Sequence, residues 1–276
     1  PSPAKADIAT GLMGYWSFDD DTAIDQSGNG RNGTIAGATT TTGKIGNALS
    51  FNGTSDYVSI PVMNYDEISV SAWFYKNAND TANADAIFGG WYWKSDAQLM
   101  QGFDIRFAQT TPDALSFSLI TTNGSTVTDK RLQYSFTDST GVWYHIVATY
   151  TKSTGAQIIY INGQQVSNAT NPAGNIIVPQ TNYTDMRIGH SRVNQGYFNG
   201  KIDEVRVYDR PLTATDVAEL YAFNIGGGGS SSSAQSSSSS SVQSDPIVTD
   251  TTPPVLSITI PTTASTYVSR SNKITI

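Results

Sequence analysis

The chain contains no cysteine, only three glutamates among its 276 residues, and no apolar run long enough to span a membrane. Without cysteine, no disulfide bond can contribute to stability. Animal extracellular domains of this size usually carry disulfides, so we expect an exported bacterial protein that relies on a metal ion instead. A bilayer span needs about 20 consecutive apolar residues, and membrane insertion is therefore not expected.

Positive charge is also scarce. The chain has 16 Lys and Arg against 23 Asp and Glu, a net charge of -7 and a sequence pI of about 4.7. Nucleic acids and anionic membranes attract basic surfaces, so neither is expected as a partner. The chain starts at Pro1 without Met, from which we expect a mature or excised piece.

Composition divides the chain into four segments. Residues 1–10 are small and polar, and we expect them to be disordered. Residues 11–225 alternate short apolar runs with Gly, Thr, Ser and Asn turns, which predicts an all-β antiparallel sandwich. Residues 226–250 form a Gly/Ser-rich linker that cannot bury enough apolar surface to fold. Residues 251–276 resume the alternation and read as the truncated start of another β domain.

The predicted sandwich has clear strands, two hairpin turns and one helix. The strands are Gly14–Phe18, Ala48–Phe51, Tyr57–Ile60, Ile68–Tyr75, Phe103–Phe107, Leu115–Ile120, Trp143–Tyr150 and Ile158–Ile161. The pairs Asn123–Gly124 and Asn162–Gly163 predict tight hairpins, since both central residues of such turns need positive φ. A short C-terminal helix is predicted over Ala214–Phe223, where Thr213 and Asp216 form a capping box.

The apolar positions of the last strand change parity part-way along it. Ile202 falls on an even position, whereas Val205 and Val207 fall on odd ones. Asp203 and Glu204 lie at the change. A strand that switches face must bend or bulge, which leaves a ladder position unpaired. Carbonyl oxygens freed beside two carboxylates would suit a hard cation such as calcium.

Three motifs occur in order along the folded segment. They are Gly14–Asp19 followed by Asp25–Gly33, then Ala48–Val58, then Asn199–Tyr208 followed by Arg210–Thr213. Together they resemble the laminin-G-like branch of the concanavalin A-like lectin/glucanase superfamily, in its bacterial three-motif form. The resemblance covers about residues 11–223. It implies a two-sheet antiparallel jelly-roll whose first and last strands lie close together.

The resemblance also implies a calcium ion near the start of the domain. The Asp of the D-x-S-G-N-G turn and the Asp of the last strand would bind it, which are Asp25 and Asp203 here. Asn29 or nearby carbonyls would supply further oxygens, and such an ion would stabilise a domain that lacks disulfides. On the residues alone, an Asx-turn at Asp25 that merely reverses the chain is the alternative.

The C-terminal segments carry resemblances of their own. The tail beyond residue 250 resembles the opening of a bacterial immunoglobulin-like module. The poly-Ser linker resembles those that join modules in secreted polysaccharide-degrading enzymes of marine bacteria.

Two aromatic groups are candidate ligand contacts. Trp91, Tyr92 and Trp93 are consecutive, and in a strand the two Trp rings would share one face. Flat indole faces stack on sugar rings. Tyr197 and Phe198, near Arg192 and Asn194, form a second polar and aromatic patch. The alternative is that one Trp lies in the core and the others at its rim.

Other large residues are predicted to be structural. Trp16, Trp73 and Trp143 lie in strongly alternating runs and are expected in the core. His145 and His190 are expected to be satisfied structural residues, since the chain has no Cys and no nucleophile elbow beside them.

Catalysis by this segment is not expected. Retaining glucanases of this fold place Glu, Asp and Glu two residues apart on one strand, so that paired carboxylates face the cleft. No such run exists here, and Glu occurs only at Glu67, Glu204 and Glu219. The signatures of related alginate lyases are absent as well.

The sequence therefore predicts a non-catalytic, calcium-stabilised carbohydrate-binding module of a secreted or cell-surface bacterial protein. Its partners would be a polysaccharide or glycan and the neighbouring modules of the same chain, one of them a polysaccharide-degrading enzyme. The alternative is an adhesin or structural spacer domain of a cell-surface protein. Exposed aromatics favour the first function, because a spacer does not need them.

Overall fold

The computed structural model describes residues 8–77, 85–90, 102–108, 114–136, 140–178, 184–191 and 196–225. These residues form two antiparallel sheets and one helix, so the predicted all-β sandwich is confirmed. The linker over 226–250 and the β fragment over 251–276 lie outside the described residues. Within the described part, no helix is both long and apolar enough to cross a membrane.

The strands are short and follow one another closely along the chain. In chain order they are β1 (Leu12–Trp16), β2 (Thr34–Ala36), β3 (Thr39–Thr42), β4 (Asn47–Asn52), β5 (Tyr57–Pro61), β6 (Ile68–Lys76), β7 (Ala86–Gly89), β8 (Phe103–Ala108), β9 (Ala114–Thr122), β10 (Val127–Ser135), β11 (Trp143–Thr151), β12 (Ala156–Ile161), β13 (Gln164–Thr170), β14 (Ile176–Ile177), β15 (Asp185–Ile188) and β16 (Asn199–Tyr208). The helix α1 (Ala214–Ile225) follows the last strand.

The strands form two sheets that face each other. Sheet I has the order β13-β12-β11-β6-β16-β4-β3, and β1 also pairs with β16. Sheet II has the order β10-β9-β8-β7-β15-β5-β2, and β14 pairs with β9. The expected closeness of the first and last strands is confirmed, because Trp16 of β1 lies opposite Val205 of β16.

The core lies between the sheets and follows from the two-residue period of the strands. In β6, Val70, Ala72 and Phe74 are buried in this core. Ser71 and Trp73 alternate with them and therefore face the outer side of sheet I. Full burial of a large apolar side chain contributes about 1.5–3 kcal/mol, so such alternating positions are the main source of stability.

Helix α1 covers part of the outer face of sheet I. The predicted capping box is confirmed, since the Asp216 amide donates to Thr213 Oγ1 at 3.2 Å and Asp216 Oδ2 accepts from the Thr213 amide at 2.9 Å. Val217 and Leu220 of the helix are buried against this face. The Tyr221 ring stacks on Trp73 with ring centroids 5.7 Å apart.

The three predicted core tryptophans have different environments. Trp16 lies in the core, as expected. Trp73 is buried, but it lies on the outer face of sheet I beneath the helix. The prediction for Trp143 is wrong, because this residue is half-buried on the same outer face, opposite Tyr75. The alternation correctly indicates that successive residues point to opposite faces of the sheet, but it does not show which face the helix covers.

The two hairpin predictions have different outcomes. Asn162 and Gly163 both have positive φ (49° and 81°) and join β12 to β13 in a tight turn. The hairpin predicted at Asn123–Gly124 is present, since β9 pairs with β10, but its turn is not the tight one predicted, because four residues separate Thr122 from Val127 and, of these, Gly124 alone has positive φ. The Asn123 side chain instead accepts hydrogen bonds from two amides further along the loop.

Candidate functional site

The bulge predicted in the last strand is present. The register between β16 and β6 shifts between Asp203 and Arg206, and Glu204 has a φ of 55°. The Glu204 carboxylate accepts a hydrogen bond from the Tyr15 hydroxyl at 2.9 Å and pairs with the Arg206 guanidinium at 2.6 Å. The carbonyl oxygen of Glu204 is not free, because it accepts from Arg206 at 3.4 Å. The bulge therefore holds a buried ion pair.

Asp203 lies beside the bulge and is fully buried. Its Oδ2 atom accepts hydrogen bonds from the amides of Lys44 (2.8 Å) and Ile45 (3.1 Å). Its Oδ1 atom is buried without a hydrogen-bond partner. Burial raises the pKa of Asp203 to about 8. The Oδ1 atom could therefore take part in a hydrogen bond or bind a cation.

Asp25 organises the turn after β1. Its carboxylate accepts hydrogen bonds from the amides of Tyr15 (3.0 Å), Ser27 (2.9 Å) and Arg31 (2.9 Å). Burial acts to raise the pKa of Asp25, but the hydrogen bonds from Ser27, Tyr15 and Arg31 together lower it. The bond from Ser27 has the spacing of an Asx-turn, so the turn has a structural role whether or not a metal binds.

Asn29 extends the same network. Its side-chain amide donates to the carbonyl oxygens of Leu12 (3.0 Å) and Met13 (3.2 Å). Asp25 and Asp203 are thus held by different backbone segments. In the described part of the chain no group of three or more His, Cys, Asp or Glu could hold a metal. Backbone carbonyls and water would have to complete any calcium site, and the site stays a prediction.

Most of the predicted ligand residues fall outside the described residues. These are Trp91, Tyr92, Trp93 and Arg192. Tyr197 is described and half-buried, whereas the prediction for Phe198 is wrong, because this residue is fully buried in the core. The Tyr197 ring stacks on His190 with centroids 4.0 Å apart and planes 16° apart.

The contact to His190 leads to a cluster that the sequence analysis did not identify. Tyr57, Asp185, Arg187, His190 and Tyr197 form this group, which we call the Arg187 cluster. The Arg187 guanidinium pairs with Asp185 at 3.1 Å, bonds His190 Nδ1 at 2.9 Å, and lies 3.9 Å from the centre of the Tyr57 ring. Two aromatic rings, a cation and an anion therefore share one surface.

The protonation of His190 follows from its environment. Burial first, and then the positive charge of Arg187, lower its pKa to about 4. The ring is therefore neutral at pH 7. Because a guanidinium can only donate, Nδ1 is the acceptor and Nε2 carries the proton. The cluster thus contains one positive charge, that of Arg187, opposite one negative charge, that of Asp185.

The Arg187 cluster lies at one side of a polar row that crosses the outer face of sheet II. Residues in this row occupy opposite positions on neighbouring strands: Thr34, Ser59, Arg187, Gly89, Asp104, Ser118 and Arg131. Directly opposite residues share a face, so their side chains line up. The outer ends of the row are accessible, whereas Gly89, Asp104 and Ser118 in the middle are buried.

Gly89 and Asp104 meet closely at the covered middle of the row. A Cβ atom on Gly89 would lie 2.6 Å from the Cβ of Asp104, so any larger residue would push the strands apart. Asp104 Oδ2 accepts from Ser191 Oγ at 3.2 Å and faces Arg106 Nε at 3.4 Å. Burial raises the pKa of Asp104, and its Oδ1 atom has no hydrogen-bond partner. Ser191, which this bond holds, is the residue that follows His190 in the chain.

A separate open groove of about 690 Å³ lies at another part of the domain. Asp66, Glu67, Lys152 and Asp209 are among its lining residues. Asp66 pairs with Lys152, and Glu67 accepts a hydrogen bond from the Lys152 amide at 2.9 Å. These carboxylates hold the chain, and of the predicted site residues that the structure describes, Asp25, Asn29, Asp203 and Tyr197, none lines the groove.

The family can now be established by comparison with known proteins. The sequence model of the Laminin_G_3 family, described as the concanavalin A-like lectin/glucanases superfamily, matches residues 52–218. The chain belongs to this superfamily. No curated protein sequence matches the chain. Superfamily membership confirms the resemblance carried by the three sequence motifs.

Several solved structures are similar in fold to this chain. One is domain 4 of AbnA, a GH43 extracellular arabinanase from Geobacillus stearothermophilus, in complex with arabinotriose; it is 24% identical, with a TM-score of 0.56, over 76% of this chain and 98% of that domain. Another is the binding domain of Paraclostridial Mosquitocidal Protein 1, at 16% identity and a TM-score of 0.58. A third is the receptor binding domain of botulinum neurotoxin C/D mosaic serotype, at 14% identity and a TM-score of 0.57.

The two toxin domains are longer than this chain. The alignment covers 78% of this chain but 52% of each toxin domain. At these identities the likeness shows a shared fold, and the ligands of those proteins are their own.

Proposed function

We propose that this superfamily member is a non-catalytic carbohydrate-binding module that binds glycan on the outer face of sheet II, at the Arg187 cluster. The observation that carries the proposal is the joint placement of Tyr57, Arg187, His190 and Tyr197 on one half-buried surface. Sugar rings present C–H faces that stack on aromatic rings, and hydroxyls that pair with charged groups. Sites of this kind combine apolar faces with a few well-placed polar groups.

Two further observations support this location. Tyr197 stacks on His190, which is hydrogen-bonded to Arg187. The rings are therefore fixed before a ligand binds, which lowers the entropy cost of binding. The similar AbnA domain was solved with arabinotriose, which supports this oligosaccharide as a first probe.

The absence of catalysis is also part of the proposal. The three glutamates of the chain have other roles or positions: Glu204 pairs with Arg206, Glu67 accepts from a backbone amide, and Glu219 lies on helix α1. None of these lies in the polar row. A glycosidase would need two carboxylates about 5–9 Å apart across one cleft.

We also propose that the domain is one module of a secreted bacterial protein that degrades polysaccharide. The Gly/Ser-rich sequence over 226–250 supports a flexible tether. A tether raises the local concentration of a catalytic module at a polymer that the binding module holds. An adhesin domain is the second candidate, and the similarity to toxin binding domains favours it.

Calcium is the remaining element of the proposal. Asp203 Oδ1 supports it, because a buried carboxylate oxygen without a partner is stabilised by a bound cation. In this proposal Asp25 and Asn29 bind the same ion as Asp203, with Asn29 lying beside the carbonyls of Leu12 and Met13. A calcium ion would supply stability, without a part in chemistry.

The experiment that tests glycan binding is affinity gel electrophoresis against a panel of soluble polysaccharides. The Tyr197→Ala variant should lose retention on the polymer that binds the natural chain. The matched control is Tyr75→Ala, which removes a half-buried tyrosine from the outer face of sheet I. Equal loss of retention in both variants would contradict the proposal. So would a natural chain and a control variant that are not retained by any polymer. Retention on host glycoproteins alone would favour the adhesin.

A further inference from the structure

Among the residues that the structure describes, the charges on the outer face of sheet II are balanced. The described part of this face carries three aspartates, Asp104, Asp129 and Asp185, and three arginines, Arg106, Arg131 and Arg187. We infer that the glycan bound there is neutral and is recognised through its hydroxyl groups, and that Asp185 sets this specificity. This inference rests on the proposed function and names its ligand class.

Arg187 already has an anionic partner. Its Nε atom lies 3.1 Å from Asp185 Oδ2, and both side chains are only 14–16% exposed. A carboxylate or sulfate of an acidic polysaccharide would have to compete with Asp185 for the same guanidinium edge. Asp185 would also repel that group, because a second anion within about 4 Å costs several kcal/mol at a partly buried site.

Ser59 strengthens this arrangement. Its hydroxyl donates to Asp185 Oδ2 at 3.2 Å, which fixes the carboxylate beside Arg187. The ion pair is therefore held on both sides and is not a loose surface contact. A neutral sugar could use the same two groups at once, with one hydroxyl donating to Asp185 and a neighbouring oxygen accepting from Arg187.

The other half of the row also contains charges of both signs. Arg106 Nε lies 3.4 Å from Asp104 Oδ2, and the charges of Arg131 and Asp129 also act on Arg106. On the described part of this face, the arginines therefore present no excess of positive charge to an anionic sugar.

The experiment compares binding of neutral, acidic, sulfated and amino-sugar polymers to the intact chain, using arabinan, polygalacturonate, a sulfated galactan and chitosan as probes. We expect retention on a neutral polymer, with a dissociation constant that changes less than about twofold between ~0.05 and ~0.5 M sodium chloride. Stronger retention on the acidic, sulfated or amino-sugar polymer would overturn the inference and leave the proposed function intact. No binding to any polymer would instead reject the proposed function.

The Asp185→Asn variant tests the cause. It keeps the shape of the side chain but frees Arg187, so the preference should shift, with at least about a tenfold gain in affinity for polygalacturonate. The matched control is Asp66→Asn, which removes an aspartate that pairs with Lys152 away from this face. A gain in polygalacturonate affinity in both variants would overturn the role of Asp185. The same holds if neither variant gains affinity while both keep the thermal transition of the natural chain. If Asp185→Asn does not fold, the salt dependence of the natural chain decides.

Discussion

The Nδ1 atom of His190 accepts a hydrogen bond from Nη1 of Arg187 at 2.9 Å. The same imidazole stacks on Tyr197, and the same guanidinium lies over Tyr57. One hydrogen bond thus joins two ring contacts into a single rigid surface. Because His190 is neutral at pH 7, this surface carries a cation that its own aspartate balances.

Arg187 should be required for binding in a way that Lys cannot replace. A planar guanidinium can contact Asp185, His190 and Tyr57 at once, whereas an ammonium group cannot. We expect Arg187→Lys to weaken glycan affinity by about tenfold or more, with a loss in unfolding free energy below about 1 kcal/mol. Isothermal titration and urea denaturation measure the two quantities.

A matched control for this variant lies on sheet I. Lys201 Nζ is 5.1 Å from the centre of the Tyr75 ring, so Lys201→Ala removes a comparable cation from the opposite face. Its affinity should equal that of the natural chain. If both variants bind equally well, the surface around Arg187 does not contact the ligand.

The buried pair at the bulge should be important for stability. Arg206→Met leaves Glu204 buried with the Tyr15 hydroxyl as its remaining strong partner. Breaking a buried ion pair from one side costs about 3–5 kcal/mol, because the other charge stays uncompensated. Glu204→Gln combined with Arg206→Met should recover much of this loss. Denaturant unfolding that shows less than about 1 kcal/mol for the single variant would contradict the prediction.

His145 should make the domain less stable in mild acid. Burial first, and then the charge of Arg206, lower its pKa from 6.5 to about 3. Below pH 6.5 the unfolded chain binds a proton that the folded chain does not. Stability contributed by this group is complete above pH 6.5 and falls as the pH drops towards 3, by up to about 1.4 kcal/mol per pH unit.

The measurement is the free energy of unfolding between pH 5 and 6.5, compared with His145→Gln. The difference between the two proteins isolates His145, since all other titrating groups are common to both. The natural chain should show the steeper loss in acid. Parallel profiles would mean that His145 is protonated in the folded state or is solvated.

Calcium should raise the thermal transition if the proposed ion binds. We expect the melting temperature of the natural chain to fall on treatment with a chelator and to return on addition of calcium, but not of magnesium. Asp203→Asn should remove this response. If the melting temperature is the same with and without chelator, the calcium proposal is wrong, and the proposed glycan site is not affected.

The fold could be predicted from the sequence because the sequence patterns that indicate it are local. Alternation in β6 and β11, positive-φ residues in the Asn162–Gly163 turn and the Thr213 capping box each act within a few residues. The parity change at Asp203 also located the bulge, since a two-residue period cannot change face without one.

The site was less accessible because it depends on contacts between distant strands. Alternation of Met186 and Ile188 places Arg187 on the outer face of sheet II, but nothing local shows that β5 brings Tyr57 beneath it. His190 was expected to be structural, and its burial agrees with that expectation. Its contact with Arg187 and Tyr197 arises only when the chain folds back through the His190–Tyr197 bridge.

The most direct test of the central claim is a crystal structure of the domain with a short neutral oligosaccharide such as arabinotriose. The account predicts a sugar ring against Tyr197 or Tyr57, with hydroxyls within about 3 Å of Arg187 and Asp185. A sugar bound instead in the groove beside Asp66, or on the outer face of sheet I at Tyr75 and Trp143, would contradict it.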